Sequence, residues 1–253
     1  QIEKAIDVKA TGQMPYKRAS VETELTEDRW VSAVEIRPTD PSVVHHVLVF
    51  VKKPGSRPRD VDEEAGFFAA YVPGNTFQEY PKGFAKKLPA GSTLVFQLHY
   101  TPNGVATSDQ TRIGIRFAEG PPSHMIRNTG IANHRIQIPP GASHHREEAS
   151  QNVDTAVRLL SFMPHMHLRG KSFRYEVVLP DESRRTLLEV PRYDFNWQLE
   201  YRLSQPLDLP AGSRIELTGW YDNSSQNPAN PDPDETVRWG PQTNDEMMLG
   251  YVE

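Results

Sequence analysis

The sequence predicts an all-β protein made of two similar β-units, and three observations carry that prediction. Short runs rich in Val, Ile, Phe and Tyr recur along the chain, separated by clusters of Pro, Gly, Asn and Asp. With 22 Pro and 16 Gly, long helices have little room. A turn-and-strand pattern also repeats: Leu88-Pro89-Ala90-Gly91-Ser92 leads into a strand ending at Tyr100, and Leu209-Pro210-Ala211-Gly212-Ser213 leads into one ending at Tyr221.

In chain order the expected strands are Trp30 to Ile36, Val43 to Val51, Leu94 to Tyr100, Ile113 to Phe117, Val157 to Phe162, Phe173 to Leu179 and Ile215 to Tyr221. Only Val61 to Ala70 reads as helical. The polar, proline-rich stretch from Asn223 to Glu235 reads as a long loop, a kind of segment that tends to be functional or mobile. His45 stands 43 positions before Leu88 and His165 stands 44 before Leu209, so the halves read as two copies with a histidine pair at an equivalent place. The joint is expected at Glu119-Gly120-Pro121-Pro122, giving domains 1–120 and 121–253.

Composition excludes several classes of function. The chain carries 28 basic and 33 acidic residues, a formal charge of -5, and no block of Lys or Arg that would track phosphates, so a nucleic-acid partner is not expected. No apolar stretch approaches the roughly 20 residues of a membrane helix. The absence of cysteine removes thiolate zinc sites, iron–sulfur clusters, blue-copper centres and cysteine nucleophiles, leaving His and Met as soft-metal ligands. The chain begins at Gln1 without a signal-like apolar region, and it is expected to be a portion of something longer.

Two histidine-bearing segments stand out: His45-His46 within Val43 to Phe50, and His165-Met166-His167 within Phe162 to Leu168. Imidazoles in apolar, strand-like runs need an acceptor or a metal. Gln97-Leu98-His99-Tyr100 and Asp245-Glu246-Met247-Met248 could complete a three-histidine set and a two-histidine, one-thioether set, a ligand mix that points to copper. Side chains at i and i+2 of a strand share a face roughly 6.6 Å apart, which suits His165 with His167 and puts Gln97 on the face of His99. Adjacent residues face opposite ways, so His45 and His46 need a bulge or a strand end to share one ion.

Blander readings apply elsewhere. His144 and His145 lie in a polar context and read as solvated loop, and the isolated His124 and His134 take the same reading. Met163, Met166, Met247 and Met248 taken singly read as readily as core packing.

From roughly residue 25 to 253, the ordered set of the His-His strand, the Gln-x-His-Tyr strand, the His-x-His strand and Asp-Glu-Met resembles the copper type II, ascorbate-dependent monooxygenases. That group contains the peptidylglycine α-hydroxylating and dopamine β-monooxygenases. The run Pro164-His165-Met166-His167-Leu168-Arg169-Gly170-Lys171 is nearer to bacterial-type members. The resemblance implies two jelly-roll β-sandwich domains in tandem, two copper ions, O2 and ascorbate or another one-electron reductant as co-substrate. It also implies an extracytoplasmic location, periplasmic or secreted.

Position by position, the resemblance makes His45, His46 and His99 an electron-donor copper site, and His165, His167 and Met247 an oxygen-activating, catalytic copper site. Trp220 stands at the repeat position of His99, so the second domain must recruit its third ligand elsewhere, and Met247 meets that need. Gln97 matches a family position near the path of the second electron. The reaction implied is hydroxylation of a substrate C–H bond.

Departures from the animal pattern bear on the substrate. Where the peptide-amidating enzyme has an Arg and an Asn at the peptide carboxylate, this chain has Met163 and Leu249, and only Tyr251 matches a substrate contact. Arg169 continues the His165 and His167 face and is a candidate anion contact. The substrate expected is therefore an unidentified small or peptide-like molecule rather than a peptidylglycine. Two other readings use the same residues: a non-catalytic copper-binding or electron-transfer module, and a β-sandwich interaction domain with structural histidines. The six ordered ligand positions argue against the second of these.

Overall fold

A computed structural model describes residues 1–56 and 66–253, and all regular secondary structure among the described residues is strand. The chain divides into two compact units, Gln1–Thr129 and Gly130–Glu253. Residues 61–65 of the expected helix lie outside the described residues, and Ala69 and Ala70 belong to a strand instead.

The first unit holds β1 (Ile6–Val8), β2 (Lys17–Glu22), β3 (Arg29–Arg37), β4 (Val44–Lys52), β5 (Ala69–Tyr71), β6 (Phe77–Glu79), β7 (Phe84–Leu88), β8 (Thr93–Tyr100), β9 (Thr107–Asp109), β10 (Arg112–Phe117) and β11 (His124–Ile126). One sheet runs β2-β8-β4-β5 and the other β10-β3-β7-β11, with β6 also on β3 and a separate β1-β9 pair. Their shared core takes Val31, Val34 and Ile36 from β3 together with Val47, Val49, Phe96 and Leu98 from β4 and β8, which makes the unit a β-sandwich. The unit extends past the Gly120-Pro121 break because β11 pairs with β7, in parallel.

The second part of the chain holds β12 (Thr129–Ala132), β13 (Gln137–Ile138), β14 (His145–Val153), β15 (Val157–His165), β16 (Gly170–Val178), β17 (Arg184–Val190), β18 (Tyr201–Leu209), β19 (Ser213–Tyr221), β20 (Val237–Arg238) and β21 (Leu249–Val252). Its sheets run β14-β19-β16-β17 and β12-β21-β15-β18, with a β13-β20 pair. Phe162 of β15 packs with Phe173, Tyr175, Ile215 and Leu217 of the facing sheet in a second sandwich core. His145 opens β14 rather than lying in a loop, and His124 opens β11.

The two units repeat one topology. The order β2-β8-β4-β5 corresponds strand for strand to β14-β19-β16-β17, and β10-β3-β7 to β21-β15-β18. The turns feeding β8 and β19 match in detail. Gly91 and Gly212 both take positive φ, 63° and 86°, which a residue without Cβ adopts at little cost. Ser92 and Ser213 each donate their backbone N–H over 3.3 Å to Pro89 and Pro210.

This correspondence corrects one expectation. The strand of His45 and His46 is β4, whose counterpart is β16, whereas His165 ends β15, whose counterpart is β3. The two histidine pairs flank the same crossover between sheets from opposite sides. The similar spacing to the repeated turn arises because that crossover is short in both units.

Candidate metal centres

In the first unit, the register of β4 against β8 slips between Val44, which faces Tyr100, and His46, which faces His99. His45 is the extra residue of this bulge, and the local twist turns it to the side of its neighbour. On the rest of the ladder, Val47, Val49, Phe96 and Leu98 point into the core, so His46, Leu48, Gln97 and His99 occupy the other face.

The outcome is a compact triad. Ligand nitrogens of His45, His46 and His99 all lie within 4.8 Å of one another. The ring centroids are 5.3 Å apart for His45 and His46, 4.8 Å for His45 and His99, and 5.0 Å for His46 and His99. The Nδ1 atoms of His45 and His46 approach to 3.1 Å, a contact that a shared proton or shared cation makes favourable. Tyr16 sets its ring edgewise to His46 and His99, with centroids 5.7 and 4.7 Å away. All three histidines are buried, and three imidazoles converging at that distance suit copper or zinc.

The same bulge recurs in the second unit, where the β16–β19 register slips between Gly170, opposite Tyr221, and Ser172, opposite Trp220. Lys171, Ser172 and Trp220 therefore stand where the first unit has His45, His46 and His99. Lys171 sends its Nζ to the Ser143 carbonyl at 2.8 Å, so this place offers no ligand set. The imidazoles of the second unit lie at the end of the preceding strand instead.

Met166 fixes their geometry. Its side chain is wholly buried in the second core, and its backbone is held at both polar groups by Tyr193, whose hydroxyl accepts the Met166 N–H at 3.0 Å and donates to the Met166 carbonyl at 2.7 Å. Burial keeps the Tyr193 phenol well above its ordinary range, so the donor proton stays in place. With Met166 turned inward, His165 and His167 share the other side, with ring centroids 5.2 Å apart. His165 Nδ1 is 2.6 Å from Gln198 Oε1, and His167 Nδ1 is 3.2 Å from the Asp245 carbonyl. Acceptors at both Nδ1 atoms favour the tautomers with the proton there, so Nε2 is the atom each ring would present to a metal.

Met247 and Met248 separate cleanly. Met248 is part of the apolar core, whereas Met247, also buried, is not. Tyr221 Oη donates to the Met247 carbonyl at 2.9 Å, and Met247 N–H donates to Glu246 Oε1 at 2.9 Å. Glu246 also accepts the N–H of His167 and, at 3.0 Å, that of Arg169. Burial pushes the Glu246 carboxyl up to about 7, against the opposing influence of these donors and of the Arg169 charge.

The remaining candidates fall as follows. Met163 and Tyr251 face each other across β15 and β21, and His165 faces Leu249, so all four share the side opposite Phe162 and the core. Arg169 is 2% exposed, with Nε on Asn223 Oδ1 at 2.9 Å and Nη1 on the Asn244 carbonyl at 2.8 Å. It braces the loop after β15 and is not placed as an open anion contact. Sequence reasoning gave no role to Gln198, Tyr193 or Glu246. Only Glu246 carried a signal, a carboxylate directly before a candidate ligand at the start of an apolar run.

The three converging imidazoles of the first unit fit a metal such as copper, and the second unit brings together the imidazoles of His165 and His167. Residues 126–253 match the family model described as copper type II ascorbate-dependent monooxygenase, C-terminal domain. That span contains His165, His167 and Met247. No curated protein matches the chain.

Proposed function

The chain belongs to the copper type II ascorbate-dependent monooxygenases, and from that membership we propose that it hydroxylates a C–H bond of a small or peptide-like substrate, using O2 and a one-electron reductant such as ascorbate. The observation that carries the proposal is the convergence of His45, His46 and His99 in one β-unit and of the His165 and His167 imidazoles in the other. Copper bound in such sites supplies one-electron redox chemistry and the activation of O2.

In this reading His45, His46 and His99 hold the electron-donating copper, with Gln97 beside them on the same face. His165, His167 and Met247 hold the copper at which the substrate reacts. Gln198 and the Asp245 carbonyl orient the two imidazoles, and Tyr193 keeps Met166 out of the site. Met163, Leu249 and Tyr251 line the His165 side and give it an apolar character with one phenol. Arg169 is held by Asn223 and the Asn244 carbonyl, so it is not the anion contact here, and an uncharged group near the metal suits this lining. On the same family grounds the chain works outside the cytoplasm; no helix among the described residues is long and apolar enough to cross a membrane.

The test is O2 consumption by the copper-loaded chain with ascorbate, across a panel of neutral and aromatic substrates, using isotope-labelled O2. A substrate that raises consumption and emerges with one labelled oxygen supports the proposal. Reduction of both coppers without labelled product from any substrate would favour a non-catalytic electron-transfer module.

A further inference from the structure

One oxygen atom joins the two ligand segments of the second unit: Glu246 Oε1 accepts the backbone N–H of His167 and also that of Met247. The other oxygen takes the Arg169 N–H at 3.0 Å, so the carboxylate spans the turn after His167 as well. The Glu246 side chain is wholly buried. Its own backbone is tied on both sides, with N–H to the Arg238 carbonyl at 3.1 Å and carbonyl to the Gly240 N–H at 3.2 Å. Met247 is thus fixed at its N–H by Glu246 and at its carbonyl by Tyr221.

We infer that Glu246 is a positioning residue that sets the reach of the Met247 thioether to the metal held by His165 and His167. This rests on the reading of Met247 as third ligand. A thioether is a weak ligand on a flexible stem, and it contributes little binding of its own to offset the ordering of that stem. Its place must therefore be organised by the protein before the metal arrives. Core packing alone would not require a carboxylate here: an apolar side chain of similar size would fill the space but leave buried N–H groups unpaired on both ligand segments.

The experiment is X-ray absorption on the Cu(I)-loaded full chain and on Glu246→Ala and Glu246→Gln, with Cu(I) affinity measured by chelator competition. Glu246→Ala should lose the Cu–S contribution and weaken the second copper by at least about tenfold, while the three-histidine site stays filled. Glu246→Gln keeps an oxygen for the N–H groups of His167 and Met247 but sets its NH2 against the N–H of Arg169, so its Cu–S signal and affinity should fall between those of the parent and of Glu246→Ala. An Ala variant that keeps Cu–S scattering at unchanged affinity would overturn the inference. No Cu–S signal in the unsubstituted chain would instead overturn the ligand reading beneath it. Hydrogen exchange on the metal-free, unsubstituted chain gives a readout independent of mutant folding. The amides of His167, Arg169 and Met247 should be protected together, and exchange at the rate of exposed amides would also overturn the inference.

Discussion

His46 stands directly across from His99 in the β4–β8 ladder, and the corresponding pair in the second unit is Ser172 with Trp220. One topology with one conserved bulge therefore presents a ligand triad in the first unit and Lys171, Ser172 and Trp220 in the second. In the proposed reading the second donor set lies across the crossover, from the end of β15 and the segment before β21.

Met247, not Met248, is expected to ligate. X-ray absorption on the Cu(I) form should lose its Cu–S signal in Met247→Ile and retain it in Met248→Ile. Met248 lies in the second core, so Met248→Ile should instead lower unfolding free energy by about 1 kcal/mol, the usual scale for reshaping a packed side chain at similar volume. Loss of the signal in the Met248 variant alone would put the register off by one.

Gln198→Leu should weaken the second copper by between about 10- and 100-fold, the usual effect of removing the group that orients a histidine ligand. His165 Nδ1 loses its acceptor while the core is untouched. Competition with a Cu(I) chelator reads the affinity, and an unchanged value would show that the Gln198 contact does not orient the ring.

Gly250 sits opposite Pro164, and a Cβ there would come within 2.6 Å of Leu217 Cδ1 and 2.7 Å of Tyr175 Oη. Gly250→Ala should therefore cost on the order of 1–3 kcal/mol in chemical denaturation, the range for overpacking a well-filled core. Stability equal to the parent would mean that β21 shifts freely against the facing sheet.

A peptide ending in glycine should not be turned over efficiently. Met163 and Leu249 cannot replace an Arg–carboxylate pair, whose charge-assisted hydrogen bonds are among the stronger polar contacts, and Arg169 is committed to Asn223 and Asn244. Assay of a dansylated peptide with copper and ascorbate checks this. Efficient hydroxylation would contradict the uncharged lining.

Central strands were the legible part of the fold. β3, β4, β8, β15, β16 and β19 lie inside their sheets and carry long apolar runs, and β10 is an edge strand that was read from its alternating Ile113, Ile115 and Phe117, whereas the edge strands β2, β14, β17 and β18 and the short inner strands β7 and β21 went unread. β14 shows why: its sequence His145-Arg146-Glu147-Glu148-Ala149-Ser150-Gln151-Asn152-Val153 covers an exposed face and reads as loop. At the site, residue type and spacing pointed to the imidazoles, and the need for a bulge or a strand end at His45 and His46 followed from strand geometry, the structure showing the bulge. Gln198 and Tyr193 were illegible because their contacts join segments far apart in sequence. Arg169 was misread because strand alternation does not continue past the end of β15, where the chain turns and buries it.

Copper stoichiometry of the His99→Ala chain tests the central claim most directly, the claim that two independent sites occupy the two units. The unsubstituted chain should bind two coppers, and His99→Ala should retain one, with the Cu–S signal of the Cu(I) form intact because His165, His167 and Met247 are untouched. Loss of both metals, or loss of the Cu–S signal together with the single copper released, would contradict the assignment.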